Sequence, residues 1–200
     1  MRFLVLFLCP ILCVAQTNCD LKRDADGIRV YTCKEQNEKF KSLRAEFELP
    51  NITTNQLRNF LWDVENYHTW QYNLMEAHTV DTVTQTSLAY RALIDAPWPV
   101  DNREIVVKMR IHETPEQLAI SIQTHPYLKQ PPYGFIRVPF FEATWTVIKQ
   151  SDALKITYAL RIDPGGSVPA WLVNIAMADG PYVSFKNLKQ QFMLTPAVMK

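Results

Sequence analysis

Apolar and polar residues alternate with period two along five stretches between residues 88 and 162. Leu88, Tyr90, Ala92 and Ile94 share a face opposite Ala89, Arg91, Leu93 and Asp95. Ile105, Val107, Met109 and Ile111 do the same opposite Glu104, Lys108, Arg110 and His112, and Leu118, Ile120 and Ile122 oppose Ser121 and Gln123. Phe141, Ala143, Trp145 and Val147 then alternate with Glu142, Thr144 and Thr146, and Leu154, Ile156, Tyr158, Leu160 and Ile162 with Lys155, Thr157 and Arg161. This pattern predicts antiparallel strands with one buried and one wet face. Two further strands are expected at 28–33 and 39–49, the first entered through the turn Asp26-Gly27. A helix capped by Thr53 or Thr54 runs to Trp62, with Leu57, Phe60, Leu61 and Val64 on one side. The prolines of Pro97-Trp98-Pro99, and those between 124 and 134, confine both segments to loops or edges.

Period 3.6 returns only at the end of the chain. After Asp163-Pro-Gly-Gly-Ser167, the residues Trp171, Leu172, Ile175 and Ala176 fall at helical spacing, as do Phe185, Leu188 and Phe192. Ser167 is the expected cap, with Pro169 in the first turn. Asp179-Gly180-Pro181 predicts a kink or break, because Pro181 lacks a backbone donor. The fold class is α+β: a curved antiparallel sheet, buried on one face, wrapped around a long C-terminal helix. A sheet gripping one helix leaves room for an internal apolar tunnel.

Composition narrows the reading. With 48% hydrophobic and 20% charged residues in 200, the chain suits one globular domain. A net charge of +1 lacks the basic footprint of a nucleic-acid binder. The apolar run at 3–14 is too short for a bilayer span and ends in Cys13-Val14-Ala15, a small-x-small pattern at which signal-peptidase cleavage is expected. The expected division is therefore a signal peptide at 1–15, an N-terminal tail at 16–26, the domain at 27–194 and a C-terminal tail at 195–200. The product would be secreted or periplasmic. Cleavage near Ala15 leaves Cys19 and Cys33, which read as one disulfide in an oxidising compartment. No metal site or cofactor is expected, since two cysteines without a histidine pair do not hold zinc. His68, His78, His112 and His125 are scattered, and no hydrolase elbow, zinc-protease motif or phosphate loop is present.

Three blocks together resemble the START family of lipid-transfer domains. Asn102-Arg-Glu-Ile-Val-Val-Lys108 is similar to a characteristic strand of that family. Asp163-Pro-Gly-Gly-Ser-Val-Pro-Ala-Trp-Leu-Val-Asn174 is similar to the start of its C-terminal helix, and Trp62-Asp-Val-Glu-Asn-Tyr-His-Thr-Trp70 to its aromatic-rich turn. The resemblance implies a helix-grip fold whose tunnel holds one lipid, sterol or isoprenoid-like molecule, in a bacterial, secreted or periplasmic member. It also implies a non-enzymatic monomer that touches membranes transiently. The wider superfamily includes cyclases and hydrolases, so a cavity enzyme acting on a hydrophobic small molecule is the alternative. Some sterol-binding members place an acid and a base inside the tunnel. Tyr90 and Met109 align there instead, so sterol specificity does not carry over.

On this reading the ligand-binding face consists of Leu88, Tyr90, Ala92, Ile105, Val107, Met109, Ile111, Leu118, Ile120, Trp145, Tyr158 and Leu160, roofed by Trp171, Leu172 and Ile175. Tyr90 and Tyr158 carry hydroxyls that orient a polar group or satisfy a backbone carbonyl. Arg103 falls in phase with the apolar face, so it meets a ligand anion or pairs with a carboxylate such as Asp101 or Asp163. Pro97, Trp98 and Pro99 form a gate at the tunnel mouth; Trp98 either reaches outward to a membrane surface or folds back as a plug.

Overall fold

The computed structural model describes residues 18–34, 39–81, 83–98, 100–127, 129–168 and 170–194, without the side chains of 18, 170–172 and 174–176. The expected signal peptide, Pro99, Pro169 and the C-terminal tail lie outside the described residues, as do the side chains of Trp171, Leu172 and Ile175.

Among the described residues, ten strands and two α-helices follow in the order β1 (Asn18–Ala25), β2 (Ile28–Lys34), β3 (Ser42–Pro50), α1 (Thr54–Trp62), β4 (Leu74–Thr79), β5 (Ser87–Ile94), β6 (Asn102–Glu113), β7 (Gln117–Thr124), β8 (Phe135–Arg137), β9 (Phe140–Lys149), β10 (Ala153–Asp163) and α2 (Ala170–Leu194). A short 3-10 helix, Val64–Thr69, links α1 to β4. The sheet order is β1-β2-β3-β10-β9-β7-β6-β5-β4, with β8 added parallel to the start of β6. All other pairings are antiparallel. The α+β sheet-and-helix architecture expected from the alternation is therefore present.

Local chemistry explains most boundaries. Thr53 caps α1 by accepting from Gln56 N, while the Gln56 side chain accepts from Thr53 N, a reciprocal capping box. Asp26 and Gly27 both take positive φ, as the tight β1–β2 turn requires. Strand β1 occupies the region expected as a tail. Its charged sequence hides its partnership with β2, which the Cys19–Cys33 disulfide fixes at the strand ends.

Helix α2 continues through Pro181 instead of breaking. Gly180 lies against the Tyr72 ring; the Ser184 hydroxyl donates to Gly180 O and accepts from Tyr72 N, both at 2.9 Å. Neighbouring groups thus brace the turn from which proline removes a donor. Further along, the β1–β2 turn grips the helix. The Asp26 carboxylate accepts from Tyr182 Oη at 2.6 Å and Lys186 Nζ at 2.9 Å, and Lys189 Nζ donates to Asp26 O at 2.9 Å. The Tyr182 hydrogen bond first, then Lys186, holds the Asp26 carboxyl below its usual range.

Candidate functional site

One end of the sheet gathers the ends of β5, β7 and β10 with the starts of β3, β4, β6 and β9. Between this end and α2 lies a cavity of about 370 Å³, within the ~300–1,000 Å³ of small-molecule pockets. Its rim is formed by loop residues, among them Tyr72, Asn73, Asp95, Ala96, Pro97, Val100, Pro164 and Val168. Val173, Met177, Gly180, Pro181, Ser184 and Phe185 contribute the helix side.

The lining follows a simple rule along each strand. On β5, Ile94, Ala92 and Tyr90 reach the cavity; on β6, Arg103 and Ile105; on β7, Ile122; on β9, Phe141 and Trp145; on β10, Ile162, Leu160 and Tyr158. Deeper residues of the same faces do not. Leu88, Val107, Met109, Ile111, Leu118 and Ile120, all expected to line the tunnel, are packed in the solid core beyond it. The cavity stops at aromatic rings: Tyr67 stands edge-on to Tyr90 at 5.6 Å, and Trp145, Tyr158 and Phe185 contact one another at 5.0–5.5 Å. Phe47 stacks under Phe185 at 4.9 Å and seals the lower side. Of the expected site, the structure therefore brings Tyr90, Ala92, Ile105, Trp145, Tyr158, Leu160, Pro97 and Arg103 together around one space.

Several lining residues were not singled out from the sequence. Tyr67 and Trp70 come from the 3-10 helix and its end, where no period marks a face. Ile94, Ile122, Phe141 and Ile162 were in phase but lay at strand ends. Phe185 carried the signal of its helical spacing with Leu188 and Phe192.

Polar groups are few and unequal. Tyr67 Oη donates to Leu61 O at 2.5 Å. Tyr90 and Tyr158, only 6% and 9% exposed, have no hydroxyl hydrogen bond among the described residues. Burial raises both above the ordinary tyrosine value, with Tyr90 adding to the shift of Tyr158, so both stay neutral. Arg103 is 7% exposed, and within the chain its guanidinium meets carbonyls instead of either carboxylate named as a possible partner. Its Nε donates to Pro164 O at 2.8 Å, Nη1 to Asp101 O, and Nη2 to Gly165 O at 3.3 Å. No ion pair of Arg103 occurs among the described residues, and Asp163 instead accepts from Gly165 N at 2.9 Å. Burial lowers the Arg103 pKa, opposed by the Asp101 charge. This arginine ties β6 to the segment before α2. There Gly165 and Gly166 have positive φ and lie so close to Pro139 and Ile136 that a Cβ would fall 2.9 Å from either.

On the opposite face of β6, Glu104 corrects the sequence reading. It was assigned to the wet face, yet it is 0% exposed. Arg91 Nε donates to it at 2.6 Å and Arg137 Nε at 2.7 Å. Arg137 also donates to Tyr127 O and Lys129 O. The outer loop that follows β7 is thereby closed over a buried carboxylate.

The gate divides as well. Pro97 lines the cavity, but Trp98 is 93% exposed and points away, which rules out the plug in this structure. The Asn102–Phe135 pairing sets its loop beside the one carrying the fully exposed Tyr133.

The chain is 28% identical over 172 residues to the uncharacterized protein PA1579 of Pseudomonas aeruginosa, covering 84% of both. Its fold matches a STAR-related lipid transfer protein from Xanthomonas axonopodis with TM-score 0.80 at 24% identity, over 88% of this chain and 98% of that one. Human STARD10 matches with TM-score 0.78 at 19% identity, over 92% and 76%. The START domain model matches residues 21–191, the span that runs from the disulfide-pinned hairpin to the helix closing the cavity, and the chain belongs to the START domain family.

Proposed function

We propose that this protein binds one hydrophobic molecule of the lipid class between its sheet and α2 and carries it to or from a membrane. The observation that carries this reading is the closed-ended cavity, whose walls are almost wholly apolar and aromatic. Each CH₂ moved into such a space contributes roughly 0.8 kcal/mol, so apolar area and shape suffice for retention. Lipid transfer in the name of the Xanthomonas relative supports the ligand class. The exposed Trp98 beside the rim supports a transient membrane contact, because tryptophan favours the water–bilayer interface. The apolar run at 3–14 and the Cys19–Cys33 bridge support export to an oxidising compartment.

Native mass spectrometry of the protein purified from its own host tests the first claim. A stoichiometric hydrophobic passenger is expected; a clean unliganded mass that no host lipid extract shifts overturns it. Exchange of labelled lipid between vesicles tests the second. Acceleration by the wild type, reduced several-fold in Trp98→Ala with binding retained, is expected. Binding without acceleration removes the carrier role and leaves storage.

A further inference from the structure

We infer that the Cys19–Cys33 disulfide is a redox latch on the cavity: it fastens β1, β1 steadies the middle of α2, and reduction by a dithiol speeds release of the bound molecule. The latch regulates the cavity of the proposed function and rests on that reading.

Little else holds β1 in place. It is an edge strand paired with β2 alone, and its ladder is interrupted between Leu21 and Arg23. Asp20, Leu21, Lys22, Arg23 and Asp24 are all exposed. A strand that buries so little apolar area gains little hydrophobic stabilisation. The ion pairs of Asp20 with Lys22 at 3.3 Å and Lys41 at 3.2 Å lie at the surface, where such pairs contribute little. The covalent bridge restricts the opened strand, and it sits one residue from the start of β1.

What β1 holds is the cavity wall. Arg23 lies four residues beyond Cys19. Its guanidinium covers the Tyr182 ring at 4.3 Å, and its Nη1 stands 3.3 Å from Asp179 Oδ1. Under that cover Tyr182 is buried and donates to the Asp26 carboxylate. Asp179, Tyr182, Lys186 and Lys189 thus form the stripe of α2 that meets the β1–β2 hairpin. Met177, Gly180, Pro181, Ser184 and Phe185, from the same turns, line the cavity. The helix supports itself least here, because Pro181 offers no N–H to Met177 O. When β1 frays from its start, Arg23 leaves Tyr182 and Asp179 before the contacts beside the turn are disturbed.

The redox step needs a dithiol as reductant. Cys33 is buried, whereas Cys19 is half-buried on the outermost strand. A reagent thiolate therefore attacks Cys19 Sγ, and Cys33 departs as a thiolate and takes a proton. The second reagent thiol then displaces Cys19, which is protonated in turn. Two electrons and two protons pass to the protein, and the reagent becomes a disulfide. An oxidising compartment keeps the latch closed; a dithiol oxidoreductase opens it.

Stopped-flow release of 1,6-diphenylhexatriene into excess methyl-β-cyclodextrin tests this. The oxidised protein is compared with dithiothreitol-reduced protein, with two free thiols confirmed by labelling. Reduction is expected to speed release at least threefold. Arg23→Ala should release at least threefold faster while still oxidised and gain nothing more on reduction. Met109→Ala, which weakens the packed core, should keep the wild-type rate in the oxidised form, separating the latch from general destabilisation. Equal rates before and after reduction, or a full response to dithiothreitol in Arg23→Ala, overturns the inference and leaves the hydrophobic-ligand reading intact. Failure of the probe to bind counts against that reading instead. Amide hydrogen exchange of the ligand-free protein then reads the latch by itself: residues 182–189 should exchange at least threefold faster after reduction, and unchanged exchange overturns it.

Discussion

The inner face of the sheet has two halves built from the same strands and the same alternation, yet they behave as different materials. Toward the loops, Ala92, Ile105, Ile122, Leu160 and Ile162 surround empty space. Toward the opposite turns, Leu88, Met109, Leu118, Ile120 and Ile156 are packed without accessible surface. The change occurs within two residues on each strand, where the aromatic rings of Tyr90, Trp145 and Tyr158 meet Tyr67 and Phe185. Large flat rings span from wall to helix and stop aliphatic chains below from being exposed above. Face is a property of one strand; depth is a property of what crosses between strands.

Substitutions on either side of the rings sharpen this contrast. Met109→Ala, in the packed half, should lose about 3 kcal/mol, as buried methionine truncations do, with ligand loading unchanged. Chemical denaturation together with native mass spectrometry checks both halves of that statement. Next comes the reverse face of the open half. Glu104→Gln keeps one acceptor oxygen but removes the charge between Arg91 and Arg137, and should cost about 2 kcal/mol. Its proteolytic nicking should begin near Tyr127 and Lys129, the carbonyls that Arg137 holds.

Ala92→Phe gives the mirror image of Met109→Ala. The ring has room to enter the cavity, so stability should change by less than about 1 kcal/mol, while passenger loading should fall at least tenfold. Loss of stability with loading retained would show that the two halves are one continuous core. The smallest effect is expected at the β1–β2 turn. The Asp26 carboxyl is held below its ordinary value of 3.8 by Tyr182 and Lys186. Its contribution is therefore complete above that value and disappears as pH falls through the lower folded-state value. Asp26→Asn should melt slightly below the wild type at neutral pH and coincide with it in strong acid.

Much of this was legible from the chain. Alternation located β5, β6, β7, β9 and β10, and Arg103 stood out because a charge broke an apolar phase. Glu104 did not stand out, because a carboxylate on a polar face looks ordinary until β8 and its loop are folded over it. Strand β1 was missed because charged residues at Asp20, Lys22, Arg23 and Asp24 suit an edge strand that pairs on one side. Pro181 was read as a kink or break, and the break is absent because Ser184 and Tyr72 brace that turn, which the sequence does not reveal. The cavity's extent was beyond periodicity altogether. Leu88 and Ala92 share a strand and a face, and only rings from other elements separate their surroundings.

The direction in which β1 enters the sheet has a practical consequence. Asn18 pairs with Lys34 and lies at the same end of the sheet as Ser42, Phe140 and Asp163, with β2 and β3 between it and β10. Helix α2 leaves that end at Ala170 and runs 25 residues, about 37 Å at 1.5 Å each, to finish with Phe192 against Phe60 of α1. A surface attachment, fluorophore or affinity handle joined after Leu194 will thus sit far from the opening and leave it free. The same handle joined ahead of Asn18 will sit on the edge strand at the end of the sheet that carries the opening.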